Sequence, residues 1–171
     1  SEKTGYGPDE LEPDYELEAD LRSIGPNWQP GNGEVKLPSG GRFGVHLMPT
    51  LAVFKGRERV NGEEWRPLKG TGWGEHGYTN VMAHTLSDRF LRFHARKGRY
   101  AISFLELFTP AHFGNERSGY LVITKGRKVV ASSLTARSTL VSQKTDRLKP
   151  HHKVPVEYVI AGETSTGENI S

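Results

Sequence analysis

Residues 89–108 contain the pattern that most constrains the fold of this chain. Two runs of extended-type residues flank Lys97-Gly98, and glycine readily adopts the positive φ that a tight turn requires. The pattern predicts a β-hairpin with Lys97-Gly98 as a two-residue loop, in which Arg96 pairs with Arg99 and Phe93 with Ile102. One face of this hairpin is apolar and forms the core side, because a one-residue slip would bury three charges.

The opposite face of the predicted hairpin is basic and contains no acidic residue. Its members are Phe90, Arg92, His94 and Arg96 on the first strand and Arg99, Ala101, Ser103 and Leu105 on the second. Guanidinium groups offer a planar set of donors that matches phosphate oxygens, and an aromatic ring can stack on a base. The face therefore predicts a surface for a phosphate backbone.

Other short runs predict further strands, with turn signals between them. Asn61-Gly62 is the strongest short hairpin signal, and a second hairpin turns near Gly126. The remaining runs are 42–47, 50–54, 78–86 and 154–160. Many short strands between turns predict an all-β fold, a single-domain antiparallel β-sandwich or barrel with at most one or two short helices. The two candidate helices are 15–24, where apolar residues recur at helical spacing, and 135–148.

Charge divides the chain into an acidic start and a basic remainder. Residues 1–20 hold eight acidic residues and one lysine, a net charge of −7, and since the whole chain is +3, the remainder carries +10. We expect a flexible acidic N-terminal arm over 1–24, an all-β domain over 25–161 and a flexible C-terminal tail over 162–171. The arm either solubilises the protein or lies over the basic face and competes with an anionic ligand.

Composition narrows the classes of protein to consider. There is no cysteine among the 171 residues, which excludes disulfides and thiolate metal sites. The histidines lack the spacing of zinc sites, so we expect no metal and no cofactor. No apolar run is long enough to cross a bilayer, so no membrane partner is expected. The lack of cysteine and of a visible signal peptide favours an intracellular location, although the compartment stays unknown.

Two more basic clusters and one tryptophan extend the predicted surface. A hairpin tip carries Lys125, Arg127 and Lys128, and a later cluster consists of Lys144, Arg147, Lys149, His151, His152 and Lys153. Trp73 lies among four glycines in 70–77, where an exposed indole could stack on a base. The predicted nucleic-acid-binding residues are Phe90, Arg92, His94, Arg96, Lys97, Arg99, Lys125, Arg127, Lys128 and Trp73, and no catalytic residue is assigned.

The sequence thus predicts a domain that binds RNA or single-stranded DNA, and it leaves other functions open. Charged residues on an outer strand face are also typical of a merely solvated surface. A structural or carbohydrate-binding β-sandwich, such as a homo-oligomeric particle or appendage subunit, would use aromatic rings and arm exchange. The rings in question are Trp28, Trp65, Trp73 and Tyr78. A metal-independent ribonuclease would draw on Glu75, His76, His84, His94, Glu106, His112, Glu116 and Arg117.

Overall fold

The computed structural model describes residues 14–37 and 41–171, and these form an all-β fold, as the strand pattern predicts. The first six strands are β1 Tyr15–Ser23, β2 Glu34–Lys36, β3 Arg42–Leu47, β4 Ala52–Val60, β5 Arg66–Gly72 and β6 Glu75–Thr79. One helical turn, α1 Ala83–Leu86, precedes β7 Arg89–Lys97 and β8 Tyr100–Phe108, and a 3₁₀ turn at Ala111–Phe113 follows. The last strands are β9 Arg117–Lys125, β10 Lys128–Ser133, β11 Arg137–Thr145, β12 Lys153–Glu163 and β13 Asn169–Ile170.

The strands form four antiparallel sheets. The central sheet has the order β10-β9-β8-β7, and the N-terminal sheet has the order β1-β4-β5. The other two are the β2-β3-β6 sheet and the β11-β12-β13 sheet. The central sheet is a meander of sequential strands joined by short connections, which is the simplest antiparallel topology.

The central sheet is buried on both faces by two separate clusters. Leu105 and Tyr120 on one face pack with Val45 and Leu47 of β3. On the other face, Phe104 packs with Ile160 of β12 and Ile170 of β13 among the neighbouring apolar residues. The central sheet thus lies between the β2-β3-β6 sheet and the β11-β12-β13 sheet.

The β7–β8 hairpin forms as predicted, but its register is shifted by two residues. Lys97 pairs with Tyr100 and Arg96 with Ala101, so the turn is Gly98-Arg99. Gly98 has φ of 59° and is the first central residue of the turn. In a type II′ turn, only the first of the two central residues needs a positive φ, and glycine adopts it readily. The predicted loop Lys97-Gly98 would have placed Lys97 at this first position. Arg99 consequently lies in the turn and not on the strand face.

The expectation that the basic face of this hairpin is an outer face is wrong for β8. Ala101, Ser103 and Leu105 are all at most 4% exposed. The reason is the β2-β3-β6 sheet, which packs on that face and leaves only part of β7 uncovered. The nearly continuous apolar run in β8 is the sequence signature of a strand buried on both sides.

Several other regions differ from expectation. Residues 15–23 form β1 and not a helix, because they pair along their whole length with β4. Residues 137–145 form β11, and 83–86 within the predicted strand 78–86 are helical. At the C-terminus, β12 continues to Glu163 and pairs with β13, so Gly162, Glu163, Asn169 and Ile170 of the predicted tail lie in strands. Tertiary pairing overrides weak local propensity at each of these places.

The part of the predicted arm before residue 14 lies outside the described residues. No helix in 14–37 or 41–171 is long and apolar enough to cross a membrane.

Candidate functional site

Trp73 lies in the β5–β6 connection, which crosses one face of β7. Its indole stacks on the His94 imidazole with ring centroids 3.7 Å apart and an angle of 14° between the planes. Gly74 allows this crossing, since a Cβ there would overlap the Met48 carbonyl, and its own N–H donates to Pro49 O at 3.0 Å. The indole remains 46% exposed, so about half of its surface is available to a ligand.

The stacked imidazole of His94 is held in its neutral form. His94 Nδ1 lies 3.0 Å from Ser103 Oγ, and its buried Nε2 has no partner among the residues that the structure describes. Burial, aided by the nearby Arg92 charge, lowers the pKa of His94 to about 4. His94 therefore supports the indole as a flat uncharged ring and does not act as a cation at neutral pH.

Arg92 is engaged in an ion pair beneath the same connection. Its guanidinium donates to a carboxylate oxygen of Glu75, whose side chain is only 14% exposed. The fully buried Tyr120 lies nearby, and burial together with the Glu75 charge raises its pKa. Because the largely buried carboxylate of Glu75 neutralises the partly exposed Arg92, this predicted phosphate ligand attracts an external anion less than the cations without a carboxylate partner do.

A cavity of about 220 Å³ opens beside the stacked rings. Arg96, which is exposed, contributes to its wall. The complete lining is Thr50, Leu51, Thr71, Gly72, Trp73, His94, Ala95, Arg96, Ala101 and Ile102. This mixture of apolar wall, hydroxyl groups, one indole and one guanidinium suits a flat polar ring with a negative charge close to it.

The second cluster of predicted residues lies next to this cavity, at the end of the central sheet. The hairpin turns Gly98-Arg99 and Gly126-Arg127 are adjacent, and Gly126 N–H donates to Arg99 O at 2.8 Å. Strand pairing also aligns Lys97, Tyr100, Lys125 and Lys128 in one row across four strands. We define the basic end as Arg96, Lys97, Arg99, Lys125, Arg127 and Lys128.

The six cations of the basic end are all exposed. Within residues 14–37 and 41–171, none of them has a carboxylate oxygen within 4 Å. Arg96 Nε donates to Gly98 O at 3.1 Å, and Lys125 Nζ lies 4.9 Å from the centre of the Tyr100 ring. These contacts orient the side chains and leave their charge uncompensated, so the positive potential here is strong.

Phe90 is not brought into this group. Its ring is 65% exposed, but it lies seven residues from Lys97 along β7, roughly 23 Å away at the usual strand rise. Lys144, Arg147, Lys149 and Lys153 lie separately, around the β11–β12 turn. There Asp146 Oδ1 accepts the N–H of Leu148 and of Lys149, so this cluster contains an acidic residue within the turn.

The residues considered for catalysis do not form one site. Glu106 is fully buried and accepts hydrogen bonds from Arg117 Nε at 2.7 Å and from Ser138 N at 3.0 Å. It links the central sheet to β11, which is a structural role. His112 packs on the neighbouring Phe113. In the described part of the chain, no three histidine or acidic side chains come together as a metal-binding group.

Of the four candidate sugar-binding rings, two are covered. Trp28 packs on Tyr120 at 5.2 Å, and the guanidinium groups of Arg57 and Arg59 lie over Trp65 at 4.4 and 4.9 Å. Trp73 and Tyr78 remain 46% and 40% exposed.

Sequence reasoning missed two contacts of the site. Glu75 was considered only for catalysis and not as a partner of Arg92, because their contact depends on tertiary packing. Tyr100, which is 42% exposed, lies beside Lys125 of the basic end because β8 pairs with β9, which no local signal specifies.

Comparison of the whole chain with protein-family models, with curated proteins and with solved structures found no match.

Proposed function

We propose that this protein binds single-stranded nucleic acid across the basic end, with an unpaired base stacked on Trp73. The observation that supports it best is the side-by-side placement of two basic turns, which gathers six exposed cations without a carboxylate oxygen within 4 Å among the described residues. Phosphate groups would bind there, and counterion release would supply most of the affinity. The interface lies at the end of the central sheet and not on the strand face first predicted.

Trp73 favours a single strand over a duplex. Only an unpaired base can offer its face to an indole, and such stacking contributes about 1–3 kcal/mol per base. The indole is half exposed, is backed by His94 and shares a cavity with Arg96. Since His94 and Lys97 are three residues apart on β7, a stacked base and a bound phosphate lie roughly 10 Å apart.

The test is a titration of the full chain with a fluorescent random-sequence oligonucleotide at several salt concentrations. Each phosphate contact contributes a slope of about −0.7 to the log–log plot of affinity against salt. The variant Lys125→Gln/Arg127→Gln/Lys128→Gln should flatten the slope by about 2 and weaken binding at least tenfold at low salt. A salt slope unchanged in this variant would contradict the proposal.

Two matched controls distinguish binding at the basic end and Trp73 from attraction to the net positive charge of the protein. The variant Lys144→Gln/Lys149→Gln/Lys153→Gln removes the same three charges at the β11–β12 turn and should leave the slope close to that of the wild type. Trp73→Ala should weaken binding about tenfold, whereas Phe90→Ala, which removes a more exposed ring elsewhere, should not. Equal losses in both triple variants would show attraction to net charge alone.

Carbohydrate binding at Trp73 is the second candidate, supported by the half-exposed indole above the cavity. A sugar ligand would bind with little dependence on salt and would be lost in Trp73→Ala but kept in the Lys125 triple variant. Hydrolysis of the RNA during the titration, followed by electrophoresis, would instead indicate a metal-independent ribonuclease.

A further inference from the structure

The N-terminal sheet has two chemically different faces. Strand register places Tyr15, Leu17 and Leu21 of β1 on the same face as Phe54 of β4 and Leu68 of β5. The alternate residues of β1 and β4 form the other face, which is charged. There Arg59 binds Glu16 at 2.5 Å and Arg57 binds Glu18 at 2.7 Å. The side chains of the charged face are thus paired with one another and hydrated, whereas the apolar side chains of the other face gain nothing from contact with water.

The β1 side of the apolar face is uncovered in the part of the chain that the structure describes. Tyr15, Leu17 and Leu21 are 53%, 53% and 67% exposed, whereas Phe54 and Leu68 are half-buried and Ala52, at the end of the face, is buried. Neither hydrophobic cluster in the described residues includes a residue of β1, β4 or β5. The ring of Phe54 lies across Gly70, where an added Cβ would be 2.6 Å from it.

The segments outside the described residues are poorly suited to cover this face. Residues 1–13 contain only Tyr6 and Leu11 as large apolar side chains, with four acidic residues and one lysine. Residues 38–40 are Pro-Ser-Gly. A face of two nine-residue strands and one seven-residue strand measures at most about 14 by 30 Å from strand spacing and rise. Two apolar side chains cannot fill an area of that size.

We propose that the apolar face of the N-terminal sheet binds the same face of a second copy of this chain. The face contains one acidic and one basic residue, Glu58 and Arg66, which are opposite each other in the strand register, so it carries no net charge that would repel its copy. Glu58 accepts a hydrogen bond from Tyr15 Oη, and Arg66 binds Glu63. Packing face to face at about 10 Å would form a six-stranded sandwich and leave both charged faces in solvent. A twofold axis then closes the assembly at two copies.

The size of the face predicts a weak dimer. Its geometric area of at most about 420 Å² per copy is roughly half of the 800 Å² that each partner buries in a standard interface. We therefore expect a reversible equilibrium, with a dissociation constant of about 10–100 µM. This inference can be tested separately from the proposed nucleic-acid binding, because the basic end belongs to another sheet and Leu21 does not line the cavity beside Trp73, although β5 contributes Thr71 and Gly72 to that cavity.

Sedimentation of the full chain between about 1 and 300 µM tests the proposal, across the range expected for a weak interface. The mass should rise with concentration from 19.0 kDa towards twice that value. Leu21→Glu should weaken the dimer at least tenfold by burying a charge. Arg22→Gln changes the charge by the same amount on the opposite face and should dimerise like the wild type.

Three results would overturn the proposal. One is a wild-type chain that stays monomeric throughout, and another is a dimer that Leu21→Glu does not weaken. The third is a dimer that appears only after residues 1–13 are removed, which would show that the chain covers this face itself. Leu21 is two-thirds exposed, so its variant should fold, and circular dichroism together with a second variant, Leu17→Lys, checks this.

Discussion

The tripeptide Lys-Gly-Arg occurs in two very different settings, the N-terminal sheet and the basic end. At 55–57 it lies in the middle of β4, where Arg57 pairs with Glu18 and Lys55 stands opposite Asp20. At 97–99 and 125–127 the same residues begin the two turns of the basic end, without acidic partners in the described chain. Equal local charge thus has opposite consequences, and cross-strand neighbours decide whether that charge is neutralised or remains exposed.

The glycine of this tripeptide gives the largest expected difference between the two regions. Gly56 faces β1 so closely that an added Cβ would be 2.6 Å from Ala19 Cα. Gly56→Ala should therefore push β1 away from β4 and lower the free energy of unfolding by about 2–3 kcal/mol, as overpacking does. Chemical denaturation gives the loss, and faster hydrogen exchange of the β1 amides locates it. If the hydrogen-exchange rates of the β1 amides did not change, the close packing of Gly56 against β1 would not limit the size of the residue at position 56.

The turn glycines should be less sensitive. Gly98 has φ of 59°, yet nothing lies within 4 Å of an added Cβ. Gly98→Ala should cost about 1 kcal/mol, because only the left-handed backbone is penalised. Gly72→Ala, also in open space but without a positive φ, should be nearly neutral in the same denaturation experiment. A cost for Gly98→Ala above that of Gly56→Ala would reverse the comparison.

The ion pairs of the N-terminal sheet should have the smallest effect. The hydrogen bond from Arg59 lowers the pKa of Glu16 below its usual value of 4.5. Its stabilising contribution is therefore present above pH 4.5 and is lost as pH falls through the lowered pKa. Glu16→Gln should lower the melting temperature slightly at pH 7 and low salt, and the difference should vanish at high salt. A difference that persists in high salt would show that the pair is shielded from solvent.

Much of the fold follows from the sequence. The strands flanking 97–99 and the turn at Asn61-Gly62 were predictable, because glycine and asparagine mark positive φ. The burial of both faces of β8 was harder to predict, since alternation of apolar and polar residues in the hairpin suggests that one face is exposed to solvent. The apolar run from Ala101 to Leu107 was the available signal for burial on both sides.

The site itself was only partly predictable. The individual basic residues and Trp73 were identified, but their arrangement depends on pairing between β8 and β9, which no local signal specifies. The same holds for the pairing of Arg92 with Glu75 and for the stacking of Trp73 on His94. In β1, apolar residues recur at a spacing that also suits a helix, and only the ladder with β4 decides its conformation.

The meander of the central sheet also has a consequence for how the chain reaches this fold. β8 is largely buried and rich in apolar residues, and such a segment is prone to aggregate when it is exposed to water. Both of its partner strands are its neighbours in sequence. β7 precedes β8 across a two-residue turn, and β9 follows it after residues 109–116. Such local contacts close quickly, so we expect β8 to be shielded early, before the flanking sheets assemble from distant parts of the chain.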